Sequence, residues 1–258
     1  MKGFSMIGAG RLGANLIAAL IGGGYELKAI YRESKYSRWA GWVEKDLARA
    51  IRPADFTVIA VQESKIEEVA RQLARDTDPA GKVFFHTANA LTSSELAPIK
   101  EKGGFVASLS PLQTFVDFKE SAALFTGIYF LAEGDEQALS LAREITANLG
   151  AHLLPVRAED KIYYHLAAVA SANFLIALLD FAAKQLGKCR PAGDIRVMLP
   201  MIREVLDNVE ERGIAASLSG PVKRRELAIV QKHLDHLTGD GARFYQVLNE
   251  YLSNISPL

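Results

Sequence analysis

The run Gly3-Phe4-Ser5-Met6-Ile7-Gly8-Ala9-Gly10-Arg11-Leu12-Gly13 constrains this chain more than any other segment. A short apolar stretch breaks into Gly-x-Gly-x-x-Gly and passes directly into the helical pattern Ala14 to Ile21. Strand, tight turn and helix in that order make a dinucleotide-binding fingerprint out of an otherwise weak glycine pattern. Gly8 permits the turn, Gly10 lets backbone approach a pyrophosphate, and Gly13 lets helix and strand pack closely. The helix begins at Arg11 and Leu12, whose end of the helix offers free N–H groups and a positive dipole to phosphate. The competing reading is a glycine-rich turn that binds nothing.

The second strand, Glu26 to Tyr31, ends in Arg32-Glu33-Ser34. An NAD site usually places a carboxylate about there, for the ribose 2′-hydroxyl. A guanidinium at Arg32 and a hydroxyl at Ser34 suit a 2′-phosphate instead, which a carboxylate repels. Glu33 then points away. The expected cofactor is NADP rather than NAD, and the competing reading is a solvated charged loop.

With 258 residues the chain is long enough for one large or two ordinary domains. It is 49% apolar and 23% charged, with 30 basic and 30 acidic residues, so net charge is zero. That balance argues against nucleic acid or an anionic membrane as partner. Cys189 is the single cysteine, which rules out an intrachain disulfide and points to a reducing, cytoplasmic setting. The fingerprint starts at once, so no targeting leader is expected. The apolar stretch Leu166 to Leu179 contains Ser171 and Asn173 and is short for a bilayer, so it reads as a buried helix.

Residues 1–155 alternate strand and helix signals and read as a doubly wound parallel Rossmann sheet, an α/β dinucleotide-binding domain. Strands are expected at Phe56 to Val61, Lys82 to His86, Gly104 to Ser108, Gly127 to Leu131 and Ala151 to Leu154. Ser64 is expected to cap a helix through Arg75, with Ile66, Val69, Ala70 and Leu73 on one stripe. Asp135 to Leu149 is a further helix. Residues 156–258 read as an all-helical substrate and dimerisation domain, with helices at Ala158–Leu186, Asp194–Arg212, Gly220–Leu237 and Gly241–Leu252. The first is apolar nearly all round, which predicts burial in an interface and a homodimer.

Ligands of open α/β sheets lie beyond the carboxyl ends of the strands. Val61-Gln62, His86-Thr87-Ala88-Asn89 and Ser108 to Thr114 occupy those ends and are expected to border a nicotinamide and a small-molecule substrate. In the helical part, Lys161 and His165 are four apart and share a helix face. Either can protonate the alkoxide formed when hydride reaches a carbonyl, and Asn173 can hold the substrate. The plainer readings are a solvated Lys161, a satisfied core His165 and a structural Asn173. Ser219 either caps the helix that Pro221 opens or, with Arg224, meets a substrate carboxylate. His233 and His236 lack a third ligand nearby, so no metal site is expected. Cys189 has no activating partner. Trp39 and Trp42 are expected to pack beneath the loop after the second strand.

The chain resembles bacterial proteins that join a Rossmann-like domain to a small helical domain of unknown function. They are described provisionally as NADP oxidoreductases and are distant kin of pyrroline-5-carboxylate reductase, ketopantoate reductase and the β-hydroxyacid dehydrogenases. The matching segments are Gly8 to Gly13, Ser110-Pro111-Leu112-Gln113-Thr114-Phe115, Tyr164-His165 through Ser171-Ala172-Asn173-Phe174-Leu175, and Leu218-Ser219-Gly220-Pro221. Three departures stand out: Ser110 replaces a histidine, Ala88-Asn89 replaces Ser-Gly, and Arg224-Arg225-Glu226 replaces Arg-Gly-Asp. The resemblance implies that Lys161 and His165 fill the acid and clamp positions of the wider superfamily. It also implies an NADP-dependent reductase of a small 2-oxo acid, ketopantoate first. The alternatives are a cyclic-imine reductase and a non-catalytic NADP-binding regulator.

Overall fold

The computed structural model describes residues 1–34, 37–119 and 121–255, and of residues 32–34, 37, 38 and 122 the main chain alone. It divides into two compact units, Met1–Ala172 and Asn173–Leu258.

The first unit opens with β1 (Gly3–Ala9), α1 (Arg11–Gly22) and β2 (Glu26–Ser34). Then come β3 (Val43–Glu44), α2 (Leu47–Ile51), β4 (Phe56–Ile59), α3 (Ile66–Asp76) and β5 (Val83–His86). It continues through α4 (Ala97–Glu101), β6 (Phe105–Pro111), β7 (Tyr129–Gly134), α5 (Glu136–Asn148), β8 (His152–Pro155) and α6 (Lys161–Val169). The strands lie in the order β3-β2-β1-β4-β5-β6-β7-β8. Adjacent residues on each strand serve opposite faces. Phe4, Met6, Phe56, Val58 and Phe85 pack with Leu16, Ile17 and Leu20 of α1 and Leu141 and Ile145 of α5. Ile7, Ile59 and Phe84 pack with Leu47 of α2, Ile66, Val69 and Leu73 of α3 and Ile99 of α4. Helices on both faces explain why the central strands read as unbroken apolar runs.

Two details differ from the sequence reading. All pairs are parallel except β6 with β7, which are antiparallel. A parallel return needs a crossover, usually a helix. Between Pro111 and Tyr129 the described chain forms only the short 3-10 turn Ala122–Leu124, so the strand reverses. Ser64 does not cap a helix: it sits inside a 3-10 turn, Glu63–Lys65, and α3 starts at Ile66 without a side-chain cap. The strands end at Pro155, and the first compact unit runs on through α6 to Ala172.

The second unit contains α7 (Leu175–Leu186), α8 (Leu199–Arg212), α9 (Ile214–Ser217), α10 (Leu227–Leu234) and α11 (Gly239–Ile255). A π-helical turn, Ala170–Phe174, precedes α7. No residue in these helices is buried within the chain. The expected buried helix is therefore not buried here: Ile162, Tyr163, Leu166 and Ile176 are each more than half exposed. The helix expected from Gly220 starts only at Leu227. Residues 221–225 are turns, Gly220 and Arg225 have φ of 90° and 56°, and helix needs negative φ.

Candidate functional site

The turn from β1 into α1 has the geometry its glycines imply. Gly8 has φ of 89°, and a Cβ there would lie 2.7 Å from the Ala60 carbonyl oxygen and 2.9 Å from Val61 Cγ1. A Cβ on Gly13 would lie 2.4 Å from the Gly8 carbonyl oxygen. Gly10 is different, because a Cβ there would meet nothing within 4 Å. That open space adjoins the start of α1, where no side chain supplies a cap. The N–H groups of Arg11, Leu12 and Gly13 precede the first intrahelical bond, Ala14 N–H to the Gly10 carbonyl, and are left for another acceptor. A diphosphate fits such a cradle.

The segment after β6 is tied to this helix. The buried Asn15 donates to the carbonyls of Arg11 (2.7 Å) and Asp117 (2.9 Å), and its oxygen accepts from Lys119 N–H (2.8 Å). Exposed Arg11 reaches the Val116 carbonyl at 3.4 Å. Leu12 packs partly against the core, Val61 lies on Gly8, and Gln62 is exposed just before the 3-10 turn. The side chains of Arg32 and Ser34 lie outside the described residues. Trp39 is buried edge-on to Trp42 (6.1 Å) and Phe118 (6.2 Å).

A second cluster gathers at the carboxyl ends of β5 and β6. In register, His86 neighbours Ser108 and Ser108 neighbours Glu133, so three adjacent strands line up three polar side chains. Ser110, two residues on from Ser108, shares its face. Into this row comes Lys161, fully buried, from the first turn of α6. Its Nζ donates to Ser108 Oγ (2.5 Å), Ser110 Oγ (3.1 Å) and the Ala88 carbonyl (3.4 Å). Ser110 donates to the Ala88 carbonyl (2.8 Å), so Ser108 donates to Ser110 (3.0 Å). Three N–H groups thus meet three acceptors. Burial pulls the Lys161 pKa down from 10.5 to about 8, partly offset by the charges of Glu133 and Glu63.

The surroundings of this ammonium are also saturated. His86 accepts from Ala88 N–H at Nδ1 (3.2 Å), which fixes the tautomer that donates from Nε2 to the Thr92 carbonyl (2.9 Å). Burial lowers the His86 pKa to about 4; the Thr92 bond opposes this and the Lys161 charge adds to it. Glu133 accepts from Ser93 N–H and Ser93 Oγ, each at 2.7 Å. Two atoms nearby in the chain are exceptions: Asn89 Oδ1, on the residue after Ala88, and His165 Nδ1, four residues after Lys161, are buried and have no partner among the described residues.

The structure therefore brings Lys161 to the strand ends, enclosed rather than solvated, while His165 follows one turn later on α6 with its Nδ1 buried. Asn173, exposed in the π-helical turn, belongs to the second unit. So do Ser219 and Arg224. Ser219 is exposed and caps nothing, since α10 starts eight residues later at Leu227. Arg224 is paired with Glu226 at 2.7 Å. His233 Nδ1 bonds Tyr245 at 2.6 Å, and no cluster of three His, Cys, Asp or Glu side chains occurs among the described residues. Sequence reasoning missed Glu133 and Ser93. A lone acid after Phe130-Leu131-Ala132 was the available signal, because a carboxylate in an apolar strand needs a partner.

A mostly parallel sheet with a glycine turn at the end of its first strand defines a Rossmann-like domain, here followed by a helical region. The chain matches the Rossmann-like domain family over residues 3–111 and a domain of unknown function, DUF2520, over residues 128–252. The two matches follow one another along the chain without overlap. No curated protein sequence matches it. Among solved structures it is similar to a Bacteroides fragilis protein described provisionally as an NADP oxidoreductase, at 23% identity and TM-score 0.82, with 98% of each chain covered. A pyrroline carboxylate reductase of Plasmodium falciparum with NADP bound is 13% identical, TM-score 0.64, covering all of both chains. A reductive aminase of Aspergillus terreus in complex with NADPH is 14% identical, TM-score 0.67, covering 97% of this chain and 93% of that one. At these identities the likeness is one of fold.

Proposed function

We propose that this protein is an NADPH-dependent reductase of a C=N or C=O bond in a small molecule. The observation that carries the reading is the open space over Gly10 at the uncapped start of α1. The names of the structural neighbours, an NADP-bound pyrroline carboxylate reductase and an NADPH-bound reductive aminase, support it. NADPH supplies the hydride when bound. The first turn of α1 holds the diphosphate, and Arg32 selects the 2′-phosphate.

Which bond is reduced turns on the proton. Reducing a carbonyl creates an alkoxide that needs an acid, whereas an iminium arrives protonated. A pKa near 8 suits a donor, but every N–H of Lys161 is already directed at a protein acceptor. This favours an imine substrate. The second reading is a 2-oxo acid such as ketopantoate, and it is favoured by His165, whose ring makes no hydrogen bond among the described residues. The test is NADPH oxidation with cyclic imines and 2-oxo acids, using wild type and His165→Ala. Imine turnover that survives His165→Ala supports the first reading, and 2-oxo acid turnover abolished by it supports the second. Tight NADPH binding without turnover makes the protein a non-catalytic NADP-binding regulator. An NADPH/NADH affinity ratio unchanged in Arg32→Ala refutes the role given to Arg32.

We infer that the working form is a homodimer formed through the second unit. Phe174, Ile176, Met201, Leu206, Ile214 and Leu227 are each more than half exposed there. Covering one such side chain stabilises by about 1.5–3 kcal/mol, so six represent on the order of 10 kcal/mol, comparable to the whole stability of a domain. A second copy suits a chain of zero net charge, which does not repel itself. Helix 158–186 is long and apolar enough to cross a membrane by length and composition. Light scattering should give the mass of two chains; a single-chain mass, or partition into lipid vesicles, refutes the dimer.

A further inference from the structure

We propose that Asn89 is a ligand-binding residue whose side-chain carbonyl accepts a hydrogen bond from a planar N–H group, the carboxamide of a bound nicotinamide. The inference rests on the reductase reading above and adds a residue-level contact to it.

Asn89 follows β5 by three residues, and its Nδ2 donates to the carbonyl of Pro111, the last residue of β6, at 3.3 Å. That bond fixes which way the amide points, because the flipped amide would set carbonyl against carbonyl. Oδ1 is then left buried and without a partner. Buried acceptors are rarely orphaned in native proteins, and each instance calls for a cause. Poor local packing is not the cause here. The neighbouring polar atoms of Lys161, Ser108, Ser110, His86 and Glu133 all have partners. His165 Nδ1 apart, every one of these groups is satisfied, and an unused acceptor in such a network marks a place where the partner comes from outside the chain.

Position and charge narrow the donor. Asn89 lies between the carboxyl ends of β5 and β6, on the edge where open α/β sheets bind their ligands. β5 is two strand spacings from β1, about 10 Å, so a dinucleotide held by its diphosphate at Gly10 extends towards it. Ala88, the preceding residue, accepts from the Lys161 ammonium at 3.4 Å. A positive charge so close disfavours a cationic donor and favours a neutral one. A primary carboxamide is planar, neutral and rich in N–H. Lys161 acts on Asn89 as a positioning residue: it ties α6 to the Ala88 carbonyl and so fixes the main chain from which Asn89 projects.

The test is calorimetric and needs no turnover. NADP⁺ is compared with its 3-acetylpyridine analogue, which keeps the carbonyl and lacks the amide N–H, on wild type and Asn89→Leu. Wild type should bind the analogue about tenfold more weakly, the effect of one lost hydrogen bond. Asn89→Leu should weaken NADP⁺ about tenfold and bind the two nucleotides equally. The ligand-free variant loses the bond to the Pro111 carbonyl, so its melting temperature should fall by a few degrees at most, whatever the nucleotide result. Discrimination that persists in Asn89→Leu overturns the proposal, and a lowered melting temperature with discrimination intact assigns Asn89 a structural role. Unchanged nucleotide affinity with a tenfold rise in KM for an imine moves the N–H donor to the substrate and overturns the carboxamide assignment. A wild type that binds neither nucleotide overturns the reductase reading itself.

Discussion

Replacing Lys161 with methionine tests whether the ammonium is enclosed as the structure has it. The side chain is fully buried and its pKa is about 8 instead of 10.5. Between those values the unfolded chain holds a proton that the folded chain has released. Stability therefore rises with pH in that window, and below pH 8 the burial penalty is fully present. The gap corresponds to about 3 kcal/mol, with a slope of at most about 1.4 kcal/mol per pH unit. Methionine fills similar space and strands no hydroxyl donor, because Ser108 donates to Ser110 and Ser110 to the Ala88 carbonyl. Urea denaturation of both proteins from pH 7 to pH 10 gives a difference in which other titrations cancel. Wild type should gain between about 2 and 3 kcal/mol on Lys161→Met across that range. A flat difference would mean that Lys161 titrates alike in the folded and unfolded chain, and the enclosed cluster would be refuted.

Three further outcomes follow from this cluster and from the glycine turn. His86, held neutral with a pKa of about 4, should cost the fold about 3 kcal/mol as pH falls from 6.5 to 4, since the unfolded imidazole takes a proton that the buried one refuses; denaturation of His86→Phe should lack that acid limb, and an unchanged limb refutes it. Gly10→Ala should melt like wild type yet lose NADP(H) binding by calorimetry, because its methyl enters open space. Gly13→Ala, 2.4 Å from a carbonyl oxygen, should lose about 1–3 kcal/mol and melt roughly 2–4 °C lower per kcal/mol.

Local chemistry determined a good deal of this protein from the sequence alone. Gly8, Gly10 and Gly13 place the turn, because turn geometry and close approach depend on residues a few positions apart. The apolar runs at Phe56 and Phe84 give the central strands, and the breaker residues after Pro155 give the helical region. Other features were settled only by residues far apart in the chain. The reversal of β7 followed from the lack of a crossover helix before Tyr129. Lys161 reads equally well as a solvated first-turn residue, and it became a buried ammonium because β5 and β6 set Ala88, Ser108 and Ser110 around it, 51 to 73 residues away. Ser219 reads as a cap, yet the positive φ at Gly220 and Arg225 moves the helix to Leu227. Asn89 looks like any polar loop residue until strand pairing places its amide against Pro111 and leaves its oxygen unpaired. Strand register decides which distant polar groups meet, and no spacing within a single segment encodes that register.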